Sequence, residues 1–124
     1  MPHGVAMVRI LVVDDQVAYR RLLVRLLNTN GFDVVGEAGT GEDALRQVEA
    51  TAPDAVLLDV LLPDFDGFEV ARRVAAGAAR PAIVFISSRQ REDFGVILDL
   101  GLVRGFISKD QLTVERLNGL LPEG

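Results

Sequence analysis

The chain is expected to fold as an α/β domain, a doubly wound five-stranded parallel sheet with helices on both faces. Three observations predict this. Five short apolar runs alternate with stretches of helical period, the pattern of repeated strand–helix units. The first run, Ile10-Leu11-Val12-Val13, is branched and apolar at every position, as a strand covered on both faces requires. The 124 residues suit one compact domain, with no linker, internal repeat or low-complexity tract.

Each element follows from local pattern. After the first strand, Tyr19, Leu22, Leu23, Leu26 and Leu27 recur at i, i+3, i+4, i+7 and i+8, one face of a helix, with Arg20, Arg21 and Arg25 mostly elsewhere. Asn30-Gly31 ends that helix, because both residues tolerate the left-handed conformation of a C-terminal cap. Residues 33–37 form a second strand. Thr40-Gly41-Glu42-Asp43 reads as a capping box, with Thr40 accepting from the Asp43 amide and Asp43 reaching back. The helix it opens turns Ala44, Leu45 and Val48 inward until Pro53-Asp54 breaks it. Residues 55–58 form the third strand, and Asp66-Gly67 leads into a helix through Val70, Ala71, Val74 and Ala75. Pro81 precedes the fourth strand, 82–86. A fourth helical segment, 91–100, carries Phe94, Ile97 and Leu98. The fifth strand is 105–108, and a fifth helix over 113–121 turns Val114, Leu117 and Leu121 inward. Right-handed crossovers then favour the strand order 2-1-3-4-5 of the flavodoxin-like (βα)5 arrangement.

Composition narrows the chemistry. Hydrophobic residues make up 49% and charged residues 25%, an ordinary globular balance. A net charge of −5 argues against direct nucleic-acid binding, which needs a basic face. There is no cysteine, and the one histidine, His3, stands in the N-terminal stretch, so thiolate or histidine metal clusters and a Ser/His/Asp triad are excluded. No apolar run approaches the roughly 20 residues of a membrane span, and no secretory signal pattern opens the chain. A soluble cytoplasmic domain away from membranes is the expectation.

In such a sheet, ligands bind beyond the carboxyl ends of the strands, near the switch point between strands 1 and 3. This sequence places Asp14-Asp15, Asp59, Ser87-Ser88 and Lys109 at four of those ends. Three close carboxylates repel one another unless a cation joins them, and Mg2+ prefers oxygen ligands together with water and phosphate. The expected metal set is Asp15, Asp59 and the main-chain carbonyl of Leu61, with Asp14 acting through water. Lys109 balances the remaining charge, pairing with Asp59 and then with a phosphoryl group, and the Ser87 hydroxyl donates to a phosphoryl oxygen. Asp59 is thus read as a carboxylate nucleophile, a known class of covalent chemistry.

At this point the chain resembles the receiver domain of two-component response regulators, of the CheY-like superfamily, over residues 5–124. The resemblance is carried by Ile10-Leu11-Val12-Val13-Asp14-Asp15, Leu57-Leu58-Asp59-Val60, Leu62-Pro63, Asp66-Gly67, Ser87 and Gly105-Phe106-Ile107-Ser108-Lys109. It implies that a sensor histidine kinase donates the phosphoryl group to Asp59. It implies Ser87 and Phe106 as switch residues, with output through the face of the fourth helix, fifth strand and fifth helix. Lys109 is followed by Asp110 where many members have proline, as in the LuxR/NarL-type subgroup that carries a C-terminal helix-turn-helix domain. Output is therefore expected through a downstream protein or an output domain outside this chain. A homodimer through the same face remains an option. Ser88 is the alternative switch hydroxyl, and Gly101-Leu102-Val103-Arg104 replaces the usual glycine-alanine turn.

Other function classes fit less well. A flavin carrier needs a hydroxyl- and glycine-rich loop after strand 1, where carboxylates would repel its phosphate. A hydrolase needs a general base for an external substrate, and none is evident. An interaction domain that works without phosphorylation sits poorly with intact Asp14, Asp15, Asp59 and Lys109. The expected chemistry is a phosphoacceptor switch, not an enzyme with external turnover, whose only reactions are self-catalysed phosphorylation and dephosphorylation. Leu61 and Arg89 are expected to tune the lifetime of the phosphorylated state.

Overall fold

The computed structural model describes residues 7–88 and 101–122. Five strands, β1 (Arg9–Val13), β2 (Asp33–Ala38), β3 (Ala55–Asp59), β4 (Ala82–Ser87) and β5 (Val103–Ser108), form one parallel sheet in the order 2-1-3-4-5. The described helices are α1 (Val17–Thr29), α2 (Gly41–Thr51), α3 (Gly67–Ala76) and the C-terminal α4 (Val114–Leu120). A single 3-10 turn, Lys109–Gln111, follows β5. The expected fourth helix, 91–100, and Arg89 lie outside the described residues.

Alternation along each strand divides the core into two. Ile10, Val12, Leu57, Val84 and Ile86 face one side, where Leu23 and Leu27 of α1 and Leu117 of α4 cover them. Leu11, Val13, Val56, Leu58, Ile83 and Phe85 face the other, under Ala44 and Val48 of α2 and Val70, Ala71 and Val74 of α3. Burying each large aliphatic side chain stabilises the fold by about 1.5–3 kcal/mol relative to exposure. The continuous apolar runs of β1, β3 and β4 are what a sheet covered on both faces demands.

Several local expectations change in detail. Leu22 was placed on the inward stripe of α1 but is 60% exposed, because the helix centres its contact on Leu23 and Leu27 and leaves Leu22 at the outer margin. At the end of α1, Gly31 takes the left-handed conformation (φ 89°), whereas Asn30 does not and instead donates from its side chain to the Leu26 carbonyl at 2.8 Å. Thr40 caps α2 as expected, accepting from the Asp43 amide at 3.1 Å. Asp43 does not reach back; its carboxylate accepts from Arg46 and from Gln47, partners that lie along its own helix. Strands β2, β3 and β4 each run one residue further than apolar character suggests, and β5 starts two residues earlier. Main-chain pairing continues through Asp59 and Ser87 regardless of side-chain polarity.

Candidate functional site

The carboxyl ends of β1, β3, β4 and β5 lie side by side, since Val13 pairs with Leu58, Asp59 with Ile86 and Ser87 with Ser108. Asp14 is fully buried at the end of β1. Its amide donates to the Ala38 carbonyl at 2.9 Å, its carbonyl accepts from Arg20 Nη1 at 2.7 Å, and its Oδ1 accepts from the Gln16 amide at 2.8 Å. Arg20 also pairs with Glu37 at 3.0 Å, so α1 ties the ends of β1 and β2 together. Asp15, next in sequence, is exposed.

Asp59 closes β3 at 5% exposure. Its Oδ1 accepts from the Leu61 amide two residues on, at 3.1 Å, a local turn of the Asx kind. The chain then folds back: Leu61 bridges to Asp66, and the Gly67 amide donates to the Val60 carbonyl at 2.6 Å. This hairpin demands a residue without a side chain at 67, because a Cβ there would lie 2.4 Å from the Asp59 carbonyl oxygen. Asp66 caps α3 by accepting from the Glu69 amide at 2.8 Å. Asp64 reaches across to cap α2, accepting from the Gly41 and Glu42 amides at 2.7 and 2.9 Å.

Lys109, immediately after β5, reaches into this crevice. Its Nζ lies 2.7 Å from Asp14 Oδ2 and 3.1 Å from Asp59 Oδ2, and it donates to Gln16 Oε1 at 2.9 Å. The Asp14 contact is a close charge pair, and among the described residues no aligned hydrogen bond reaches the buried Asp14 Oδ2. Burial holds the Asp59 carboxyl above its ordinary pKa and the Asp14 charge adds to this, while the Leu61 amide and Lys109 act in the opposite sense.

One oxygen each from Asp14, Asp15 and Asp59 lies within 4.8 Å of the others. Three carboxylates against one ammonium leave net negative charge on hard oxygen donors, and Asp14 Oδ2 is buried with no aligned hydrogen bond among the described residues, an environment a small divalent cation fits. The structure therefore brings together Asp14, Asp15, Asp59 and Lys109, with the Leu61 backbone beside them. Ser87 is buried at the end of β4 and Ser88 is exposed. Phe106 is half-buried on β5, stacked on Phe85 at 5.0 Å and near Phe68 at 6.3 Å, an aromatic cluster that is part of the core on that face.

Sequence reasoning passed over Gln16, Arg20 and Asp64, and treated Tyr19 only as core. Tyr19 donates from its hydroxyl to the Lys109 carbonyl at 3.4 Å, and its ring lies beneath the ammonium. Gln16 and Tyr19 stand three residues apart at the start of α1, a spacing that shares a helix face and could have drawn attention to both. Asp64 carries no comparable signal, because its partners lie 22 and 23 residues away.

Known proteins share this chain's sequence pattern and fold. The family described as Response regulator receiver domain matches residues 10–119. A protein-glutamate methylesterase/protein-glutamine glutaminase of Myxococcus xanthus is 38% identical over 116 residues, covering 91% of this chain and 33% of that protein. The alkaline phosphatase synthesis transcriptional regulatory protein PhoP of Bacillus subtilis is 37% identical over 94 residues, covering 76% of this chain and 38% of that protein. The chain thus spans about a third of these relatives' length. Among solved structures, the signal receiver domain of the response regulator NarL from Mycobacterium tuberculosis superposes with a TM-score of 0.79 at 32% identity, covering 91% of this chain and 92% of that one.

Proposed function

Because the chain belongs to the response regulator receiver domain family, which acts in two-component phosphorelay signalling, we propose that Asp59 is its phosphoacceptor. The domain is taken as residues 5–124, which enclose the matched 10–119. The observation that carries the reading is the buried Asp59 carboxylate, flanked by Asp14 and Asp15 and held by Lys109 Nζ at 3.1 Å.

The reaction is a phosphoryl transfer between two nucleophiles. A side-chain oxygen of Asp59 attacks the phosphorus of the donor, a phosphohistidine of a sensor histidine kinase or a small acyl phosphate. The bond from phosphorus to the donor nitrogen or oxygen breaks, and its electron pair leaves with the donor. In dephosphorylation water attacks phosphorus, and Asp59 leaves as the free carboxylate together with inorganic phosphate. Lys109 neutralises charge on the transferring group, in keeping with the role of such clamps. The Leu61 amide orients the nucleophilic carboxylate by binding its Oδ1. Receiver domains bind Mg2+ at an acidic pocket, and here Asp14, Asp15, Asp59 and the Leu61 carbonyl would hold it. When bound, magnesium supplies positive charge beside the transferring phosphoryl group.

Ser87 is proposed to donate its hydroxyl to the phosphoryl group, and Phe106 to repack against Phe85 and Phe68 as the loop after β4 follows. Such a switch shifts a pre-existing equilibrium between two surfaces. The output partner, in or beyond the same polypeptide, and a cytoplasmic setting belong to the same reading; among the described residues no helix is long and apolar enough to cross a membrane. Incubation with acetyl phosphate and magnesium, followed by intact-mass spectrometry and Phos-tag electrophoresis, tests the assignment. Wild type should gain one phosphoryl group and Asp59→Asn none. An unmodified wild type, or a modified Asp59→Asn, refutes it.

A further inference from the structure

Lys109 is the chain's single lysine, and Tyr19 its single tyrosine. The two residues meet at two points. The Lys109 ammonium lies over the Tyr19 ring, 4.8 Å from Nζ to the centroid, within cation–π range. The Tyr19 hydroxyl donates to the Lys109 main-chain carbonyl at 3.4 Å. One aromatic side chain therefore meets Lys109 at both its charged head and its backbone. Gln16 adds a second hold from the same helix: it stands at the N-cap of α1 with no capping bond from its side chain, and its Oε1 accepts from Nζ at 2.9 Å.

A lysine needs such contacts. Its four-carbon stem has many rotamers, and its charge has no directional preference of its own. Asp14 and Asp59 both attract the ammonium, at 2.7 and 3.1 Å, and attraction to two anions does not by itself decide where between them the cation stands. An aromatic face below and an amide oxygen to one side restrict that position. The phenol is a neutral donor across the physiological range at its ordinary pKa of 10.0, and burial, then the charges of Asp14, Asp59 and Asp110, push that pKa further up to about 12.

We propose that Tyr19, assisted by Gln16, is a positioning residue that presets the Lys109 ammonium for phosphoryl transfer to Asp59. The inference rests on the phosphoacceptor assignment above. It makes the first turn of α1 part of the chemical apparatus and not only of the core.

The single lysine and single tyrosine make the test direct. With selectively labelled lysine, the one ε-methylene NMR signal should show a contact to the tyrosine ring and an upfield ring-current shift. The shift should vanish in Tyr19→Leu and persist in Tyr19→Phe. In parallel, the initial rate of phosphorylation by acetyl phosphate with magnesium should fall about threefold to tenfold in Tyr19→Leu and by less in Tyr19→Phe, which keeps the ring under the ammonium and loses only the hydroxyl bond to the Lys109 carbonyl. Gln16→Leu, at an exposed position, should slow the rate in the same sense and serves if Tyr19→Leu does not fold. Absence of the ring contact in wild type overturns the proposal. So does a wild-type rate in both Tyr19→Leu and Gln16→Leu, or in Gln16→Leu alone should Tyr19→Leu not fold. A wild type with the ring contact intact but no phosphorylation identifies the Asp59 assignment as the failure, and the inference falls with it.

Discussion

Asp59 combines burial, a neighbouring carboxylate and a single ammonium, and these act on its proton in opposite directions. Burial is the largest influence and raises the pKa above the ordinary 3.8. A carboxyl whose folded pKa exceeds its unfolded value contributes stability fully below the unfolded value, and loses it as pH rises through the folded one. At neutral pH the ionised Asp59 is therefore a cost to the fold. Without magnesium, Asp59→Asn should raise stability by about 1 kcal/mol, or about 4 °C in Tm, at neutral pH. The gap should close as the pH is lowered below about 4, where the wild-type carboxyl is neutral in both states. Magnesium at a hundredfold excess over its Kd should stabilise wild type by about 2.7 kcal/mol and Asp59→Asn by less. Thermal unfolding followed by circular dichroism, with and without the metal, measures all three. At this scale the residue types of the site were legible in the sequence, because carboxylates, a hydroxyl and a lysine end strands that are otherwise apolar. Their partners were not: Lys109 and Gln16 are 93 positions apart, and no local pattern links them.

Elements place the site through the geometry of their ends. The turn that returns from Asp59 to α3 packs backbone against backbone at Gly67, where a Cβ would sit 2.4 Å from the Asp59 carbonyl oxygen and 3.0 Å from Val60 Cα. Gly67→Ala must displace the end of β3, and should cost about 1–3 kcal/mol by overpacking while weakening magnesium binding. Gly119→Ala is the contrast, in α4 with open space around the position; it should be neutral or stabilise by up to about 1 kcal/mol. Denaturant midpoints and magnesium titration of the two variants separate the effects. The starts of α2, α3 and α4 were well marked in the sequence, since Thr40, Asp66 and Thr113 each accept from a helix amide three residues on, whereas Gln16 at the start of α1 makes no such bond. Strand ends were less legible, because polar Asp59 and Ser87 continue the ladder that their side chains do not advertise.

For the whole molecule, the sheet separates two cores that do not share side chains. Ile83 belongs to one and Ile86 to the other, three residues apart on β4. Ile83→Val and Ile86→Val should each cost about 0.5–1.5 kcal/mol, and the double variant should equal their sum within about 0.5 kcal/mol. Equilibrium unfolding in urea of the single and double variants measures the coupling; a larger discrepancy would mean the two layers repack as one. Apolar patterning by itself determined the class of fold and the number of strands, because it follows from backbone geometry within a few residues; which side of each strand meets which helices came from the packing. Only the tertiary structure decided that Asp64 caps a helix from another segment, and that Tyr19 and Gln16 of α1 grip Lys109 beside Asp14 and Asp59. Those contacts join residues far apart in the chain, and their energies arise only once the sheet has brought the strand ends together.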